Sequence, residues 1–215
     1  VDTVISRYDP LYKRHLRAYL TGVSKRNRII EKAYAYDRVR SQLVFWDTFL
    51  MEHADYITKA REEFVEELQM KDCFPKLHFF VEYQPNRFTE KRIKETEVLQ
   101  VRYRNTIIGP QRDDYDILFV KNGGENSEKK SVLKYGSRSQ QRLALLWINF
   151  FELDKYFSSL EKKPLLLLDD VFSELDEENK KLVLEVISSY QTVITTNDKS
   201  VTDYVAGEYG EITLN

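Results

Sequence analysis

"PLLLLDDVFSELD" (164–176) is the stretch from which the rest of the chain can be read. Four consecutive leucines form an apolar run of strand length, as expected of a parallel strand covered on both faces. The run ends in two adjacent carboxylates, Asp169 and Asp170. Charges at the end of a buried strand need stabilisation close by. Either the strand surfaces there and its aspartates cap the next turn, or a cation or phosphate group sits at its end.

The neighbouring sequence alternates in type. Residues 176–189 carry Leu182, Val183, Val186 and Ile187 at helical spacing, "QTVITTND" (191–198) reads as a second buried strand, and "YGEITLN" (209–215) as a last short one. Upstream, 140–160 holds Leu143, Leu145, Leu146, Trp147, Ile148, Phe150, Phe151, Leu153 and Phe157, a helix apolar almost all round. Strand, helix, strand, helix, strand predicts an α/β body.

The first third has a different character. From Pro10, the residues Tyr12, Leu16, Tyr19, Leu20, Val23 and Ile30 recur at three- and four-residue steps, with Asp9-Pro10 as a helix start. A second helix fits 47–69, with Phe49, Tyr56, Ile57, Ala60, Phe64 and Leu68 on one side. Then follow a β-like segment at 76–85, a charged segment at 90–104 that reads as helix or, from Val98, Val101 and Tyr103, as strand, and a hairpin whose strands, 115–120 and 130–136, flank Gly123-Gly124. The expected division is a helical lobe over 1–75, of two or more antiparallel helices, and an α/β body over 76–215.

Composition excludes more than it assigns. Thirty-three basic and 35 acidic residues leave no global electrostatic signature. Cys73 is the one cysteine, so no internal disulfide forms, which suits a reducing compartment. No run approaches the ~18 apolar residues of a membrane span, and nothing reads as a signal peptide. The chain opens on Val1 within helix-like sequence, which suggests a fragment.

Four apolar residues ending in Asp-Asp is the Walker B arrangement of phosphate-binding ATPases, at the sheet edge where ligands collect in open α/β folds. In that arrangement Asp169 holds Mg²⁺ through a water and Asp170 orients or deprotonates the attacking water. "SELD" (173–176) follows as the D-loop does in ABC-type ATPases. "YGSRSQQR" (135–142) opens the apolar helix at the position of the ABC signature, with Ser137 as N-cap and free N–H groups suited to an anion. Each string alone is a capped turn. Signature, helix, Walker B, D-loop, helix and Thr-Thr strand in this order are far more specific.

With "GPQRDD" (109–114), "LLDDVFSELDEENKKLVL" (167–184) and "QTVITTND" added, the chain resembles the RecF family of SMC-related repair ATPases over essentially its whole length. The resemblance implies the carboxyl-terminal part of an ABC/SMC-type ATPase head with an α-helical lobe. It implies a cytoplasmic, nucleoid-associated protein of DNA replication, recombination, repair and the SOS response. Such a protein dimerises on ATP-Mg, binds double-stranded and gapped DNA or single/double-strand junctions, and assists recombinase loading with RecO and RecR. Asp170 is then catalytic and Asp169 the metal ligand. Ser137, Arg138, Gln140, Ser173, Asp176 and Thr196 face nucleotide. Gln111 stands where the family usually has His, and Ser139 where the signature has its second glycine.

No G-x-x-x-x-G-K-[ST] occurs in the sequence; "GENSEKKS" (124–131) is the nearest string and lacks the second glycine. In the family the P-loop precedes the helical lobe, so this chain is expected to start after it. Alone it is expected to bind ATP poorly and to be weakly stable or self-associating through open sheet edges.

Other features leave alternatives open. Residues 7–40 carry a basic excess, including Lys13, Arg14, Arg17, Lys25, Arg26 and Arg28. These are candidates for DNA phosphates, or else solvated helix faces. His15, His53 and His78 lack metal-ligand spacing and read as structural. Arg112, Asp113 and Asp114 form either a plain turn or a nucleotide- or interface-facing loop. The competing functional readings are another SMC-like head and a non-catalytic DNA-binding or interaction module.

Overall fold

In the computed structural model, Asp9 caps the first long helix as expected, accepting a hydrogen bond from the Tyr12 N–H at 2.9 Å, with Pro10 in the first turn. The structure describes residues 1–121, 128–159, 165–205 and 209–212. The helices are α1 (Asp2–Tyr8), α2 (Pro10–Ile30), α3 (Tyr36–Gln69), α4 (Glu90–Tyr103), α5 (Val132–Tyr135), α6 (Arg138–Ser159) and α7 (Glu177–Ile187). The strands are β1 (Leu77–Gln84), β2 (Asp114–Lys121), β3 (Lys130–Ser131), β4 (Leu166–Asp169) and β5 (Thr192–Thr195). One sheet has the order β1-β2-β3, with β2 and β3 antiparallel; the other pairs β4 with β5 in parallel.

Two compact units result, 1–68 with 81–115 and 69–80 with 116–215. This division is discontinuous, unlike a single cut after residue 75. Segment 81–115 goes with the helices because buried charges of α2 and α3 find their partners in it. The Arg26 side chain is fully buried; Nε reaches Asp47 Oδ1 at 2.7 Å, Nη1 reaches Gln100 Oε1 at 2.5 Å and Thr106 Oγ1 at 2.9 Å, and Nη2 reaches Tyr36 Oη at 3.1 Å. Arg61 pairs with Asp2 at 2.8 Å and Asp113 at 2.6 Å and donates to the Pro110 carbonyl at 2.7 Å.

Several elements differ from the sequence reading. Helix α3 begins at Tyr36, not residue 47, because Tyr36, Val39 and Leu43 already point inward. On α2, Leu20 is 50 % exposed, while Arg26 takes the inward place. Arg26 therefore cannot contact DNA: its side chain is fully buried, and each of its three guanidinium nitrogens donates inside the unit. The second strand of the hairpin is two residues long, and 132–135 turns helical instead. Residues 209–212 form no strand, and the end of that predicted element lies outside the described residues, as does Gly123-Gly124.

In the second unit, Leu143, Leu146, Trp147 and Phe150 of α6 pack inward with Phe74 and Phe79, and the Trp147 indole donates to the Lys71 carbonyl at 2.7 Å. Helix α6 is one-sided rather than apolar-buried all round, since Leu145 is exposed. Strand β4 is likewise covered on one face only. Leu168 is buried, whereas Leu165, Leu167 and Val193 are exposed. Expected burial on both faces is thus not met among the described residues.

Removing the Arg26 charge leaves Asp47 unpaired. Arg26→Leu is expected to lower unfolding free energy by roughly 3–5 kcal/mol, read from urea unfolding. A loss below about 1 kcal/mol would refute the structural role.

His15 and His53 also meet, Nδ1 to Nδ1 at 2.8 Å, with His15 stacked on Tyr56. One ring donates and the other accepts, so the contact holds a single proton. Burial, then the His15 charge, lowers the His53 pKa from 6.5. The unfolded chain therefore takes up a proton below pH ~6.5 that the folded chain resists, and stability falls as pH drops through that value. The urea midpoint should decrease between about pH 7.5 and about pH 5.5, and less so in His53→Gln.

Candidate functional site

The pairing of β4 with β5 sets Leu166 against Thr192 and Asp169 against Thr195. That register brings a hydroxyl to the first carboxylate: Thr195 Oγ1 donates to Asp169 Oδ1. The Asp170 N–H in turn donates to the Thr195 carbonyl at 3.0 Å, with Thr195 Oγ1 at 3.3 Å. Thr196, expected to face nucleotide, instead accepts the Asp198 N–H at 3.0 Å within the following turn. Residue-by-residue register, not visible from composition, distinguishes the two threonines.

Asp170 has a left-handed backbone, φ 47° and ψ 34°, one of only two non-glycine residues with positive φ among those described. Its carboxylate is exposed and makes no hydrogen bond or ion pair among the described residues. A 3-10 turn over Val171–Glu174 follows, anchored by fully buried Phe172; Ser173 Oγ donates back to the Asp170 carbonyl at 3.0 Å. Asp176 then caps α7, accepting the Asn179 N–H at 2.9 Å. Beyond β5, Asp198 accepts from Ser200 and pairs with Lys180, which holds its carboxyl down to about 2.

The start of α6 is a reciprocal cap. The Gln140 N–H donates to Ser137 Oγ at 3.3 Å, and the Ser137 N–H donates to Gln140 Oε1 at 2.9 Å. Gln140 is buried in that role, while Ser137 and Arg138 stay exposed. Ser139 is turned inward: its hydroxyl accepts from Asn179 Nδ2 at 2.8 Å, and the same amide donates to Asp176 Oδ2 at 2.9 Å. Arg142 Nε lies 3.7 Å from Glu174 Oε2. The polar turn before α6 and the segment after β4 are thus tied together within the second unit.

Field and donor set suit a phosphate with a hard cation. The first turn of α6 carries no acidic residue, so its N-terminal N–H groups are not neutralised. Asp169 offers an exposed oxygen at the strand end. No three His, Cys, Asp or Glu side chains converge among the described residues. A divalent ion at Asp169 would therefore complete its shell with water and phosphate oxygens, which is how Mg²⁺ is usually held.

The exposed members of the basic set, Lys13, Arg14, Arg17, Lys25 and Arg28, lie on α2 in the other unit. In "GPQRDD", Asp113 is the buried partner of Arg61, and Gln111 accepts from Tyr19 Oη at 2.5 Å. Arg112 and Asp114 remain exposed. Cys73 is half-buried, and burial pushes its thiol up to about 12, which removes it as a nucleophile.

No family model matches the chain. It is 32% identical over 208 residues to DNA replication and repair protein RecF of Agathobacter rectalis, covering 91% of this chain and 54% of that protein. RecF of Halothermothrix orenii is 31% identical over 221 residues, 92% of this chain and 57% of the relative. A solved structure described as the recombination mediator protein RecF-ATP in the RecFOR pathway superposes with a TM-score of 0.70 at 27% identity, over 93% of this chain and 57% of that one. The chain spans a little over half the length of the relatives it matches. In sequence and structure it is homologous to RecF-family ABC/SMC-type ATPases over most of its length, at moderate identity.

The left-handed backbone at Asp170 has a stability cost that glycine would not incur. Asp170→Gly is expected to raise unfolding free energy by up to ~1 kcal/mol in urea unfolding. A clear loss of stability would show that the carboxylate, not the backbone, determines stability at this position.

Proposed function

We propose that this chain is the part of a RecF-like DNA-repair ATPase that supplies the water-activating carboxylate, the metal-binding strand end and the signature turn of a shared ATP site. The observation that carries this reading is Asp170: an unpartnered, exposed carboxylate fixed in a costly conformation at the end of a parallel strand, in a chain homologous to RecF proteins over most of its length. Strain held at one polar residue is characteristic of catalytic positions.

In this reading Asp170 orients the attacking water and accepts its proton, and Asp169, steadied by Thr195, holds Mg²⁺ through a water. The ion, when bound, neutralises charge on the phosphate oxygens. Ser137, Arg138 and the unneutralised start of α6 close on the terminal phosphate held by a second subunit, so ATP binds the dimer better than the monomer and acts as the switch. Gln140 acts indirectly, through the cap, while Ser173, Asp176 and Thr196 shape the turns around the site. The exposed apolar face formed by Leu167 and Val193 would pack against further parts of the whole protein, including the P-loop that is not in this sequence.

On the helical unit, Lys13, Arg14, Arg17, Lys25 and Arg28 contact phosphates of double-stranded or gapped DNA, and the assembly works with RecO and RecR at single/double-strand junctions. No helix among the described residues is long and apolar enough to cross a membrane.

The test joins this chain to a P-loop-bearing amino-terminal segment and measures DNA-stimulated ATP hydrolysis. Asp170→Asn is expected to lower kcat about 10²-fold or more with ATP binding retained. Unchanged kcat in that variant would remove the catalytic reading and leave a DNA-binding module.

A further inference from the structure

We propose that α2 and α3 form a binding site for unpaired nucleotides, with bases stacking on an aromatic bank of α3 and phosphates on a basic face of α2. The proposal rests on the DNA reading above and assigns the single-stranded part of the substrate to named residues. Phe45, Trp46 and Phe49 fall within about one helical turn of α3 with their rings in mutual contact, at centroid separations of 5.1 Å, 5.8 Å and 6.2 Å. Rings at this spacing usually form core. Here Phe45 is 65 % exposed, and the bank lines an open groove whose other wall carries Lys13, Arg14 and Arg17.

The groove exists because α2 is thin at this level. Gly22 lets α3 approach closely: a Cβ there would stand 2.9 Å from Leu50 and 3.0 Å from Phe49. Ala18 adds no bulk beside it, so the aromatic edges stay open to solvent.

The charge pattern matches a nucleic-acid strand rather than a plain apolar ligand. No carboxylate lines the groove, and its three basic side chains make no ion pair among the described residues. Asp47, one residue from Trp46, is committed to Arg26. Arg14 and Arg17 of the groove wall continue into one exposed stripe of α2 with Lys25 and Arg28. A cationic track flanked by aromatic faces is the arrangement that holds single strands without sequence preference. A duplex keeps its bases stacked and can use only the track.

The test is a fluorescence titration of the 215-residue chain with a thymidine oligomer of about 12 nucleotides and, separately, a blunt duplex. Trp147 is buried in the other unit and gives a constant background, so the change reports Trp46. The oligomer should quench Trp46. Phe45→Ala should weaken oligomer binding about tenfold and leave duplex binding within about twofold. Arg14→Ala combined with Arg17→Ala should weaken both and flatten the salt dependence. Unchanged urea midpoints confirm that these surface variants fold. Duplex binding without any effect of the oligomer on Trp46, or an equal loss of both ligands in Phe45→Ala, overturns the stacking site while the DNA reading stands. Binding of neither nucleic acid overturns both.

Discussion

A guanidinium with no access to water is the constraint around which the first unit is built. Arg26 cannot shed its proton, so its burial requires a counter-charge and a full set of acceptors. Asp47 supplies the charge from α3, and Gln100, Thr106 and Tyr36 supply oxygens from α4, the loop after it and the start of α3. Three separate stretches of chain, α3, α4 and the loop after α4, are therefore fixed to one side chain. Arg61 repeats the device with Asp2 from α1 and Asp113 from the "GPQRDD" turn. The glycine of that turn is dictated by the same packing. Gly109 has φ +110°, and a Cβ there would lie 2.0 Å from the Tyr19 hydroxyl, which itself donates to Gln111. Packing alone accounts for Gly109, Gln111 and Asp113, so only Arg112 and Asp114 of the motif are left facing outward.

The second unit depends on register instead of buried charge. Two short parallel strands in the observed alignment place Thr195 beside Asp169 and give the Asp170 N–H an acceptor. A slip of β4 by one residue would turn Asp169 to the other face and away from Thr195. The hydroxyl of Thr195 bridges the two positions, receiving one N–H and donating to one carboxylate. The carboxylate of Asp170 is left as the group with nothing to do in the fold.

Much of this was legible in the residues. Local signals with a period or a cap were read correctly: Asp9-Pro10, the α6 start at Ser137, the apolar run ending at Asp169 and the parallel pairing it predicts. Order along the chain then identified the homology that the comparisons support. What failed depends on distant partners. Arg26 sits between exposed Lys25 and Arg28 on a charged helix, and no local rule distinguishes the one that turns inward. The His15–His53 contact joins two helices at 38 residues' separation. Coverage of β4 was read from hydrophobicity, yet Leu167 faces out because burial is set by what packs against a strand, not by the strand itself.

Two helix starts meet near the site, and their charges separate their roles. Helix α7 begins with Asp176, Glu177 and Glu178, so its N-terminal field is met by its own side chains. Helix α6 has no acid in its first turn and adds exposed Arg138. An anion approaching this surface is drawn to α6 and repelled by α7. Asn179 and Ser139 tie the two starts together, so the positive end cannot shift without straining the α7 cap. The attraction is thereby held in a fixed place beside, and not within, the carboxylate edge.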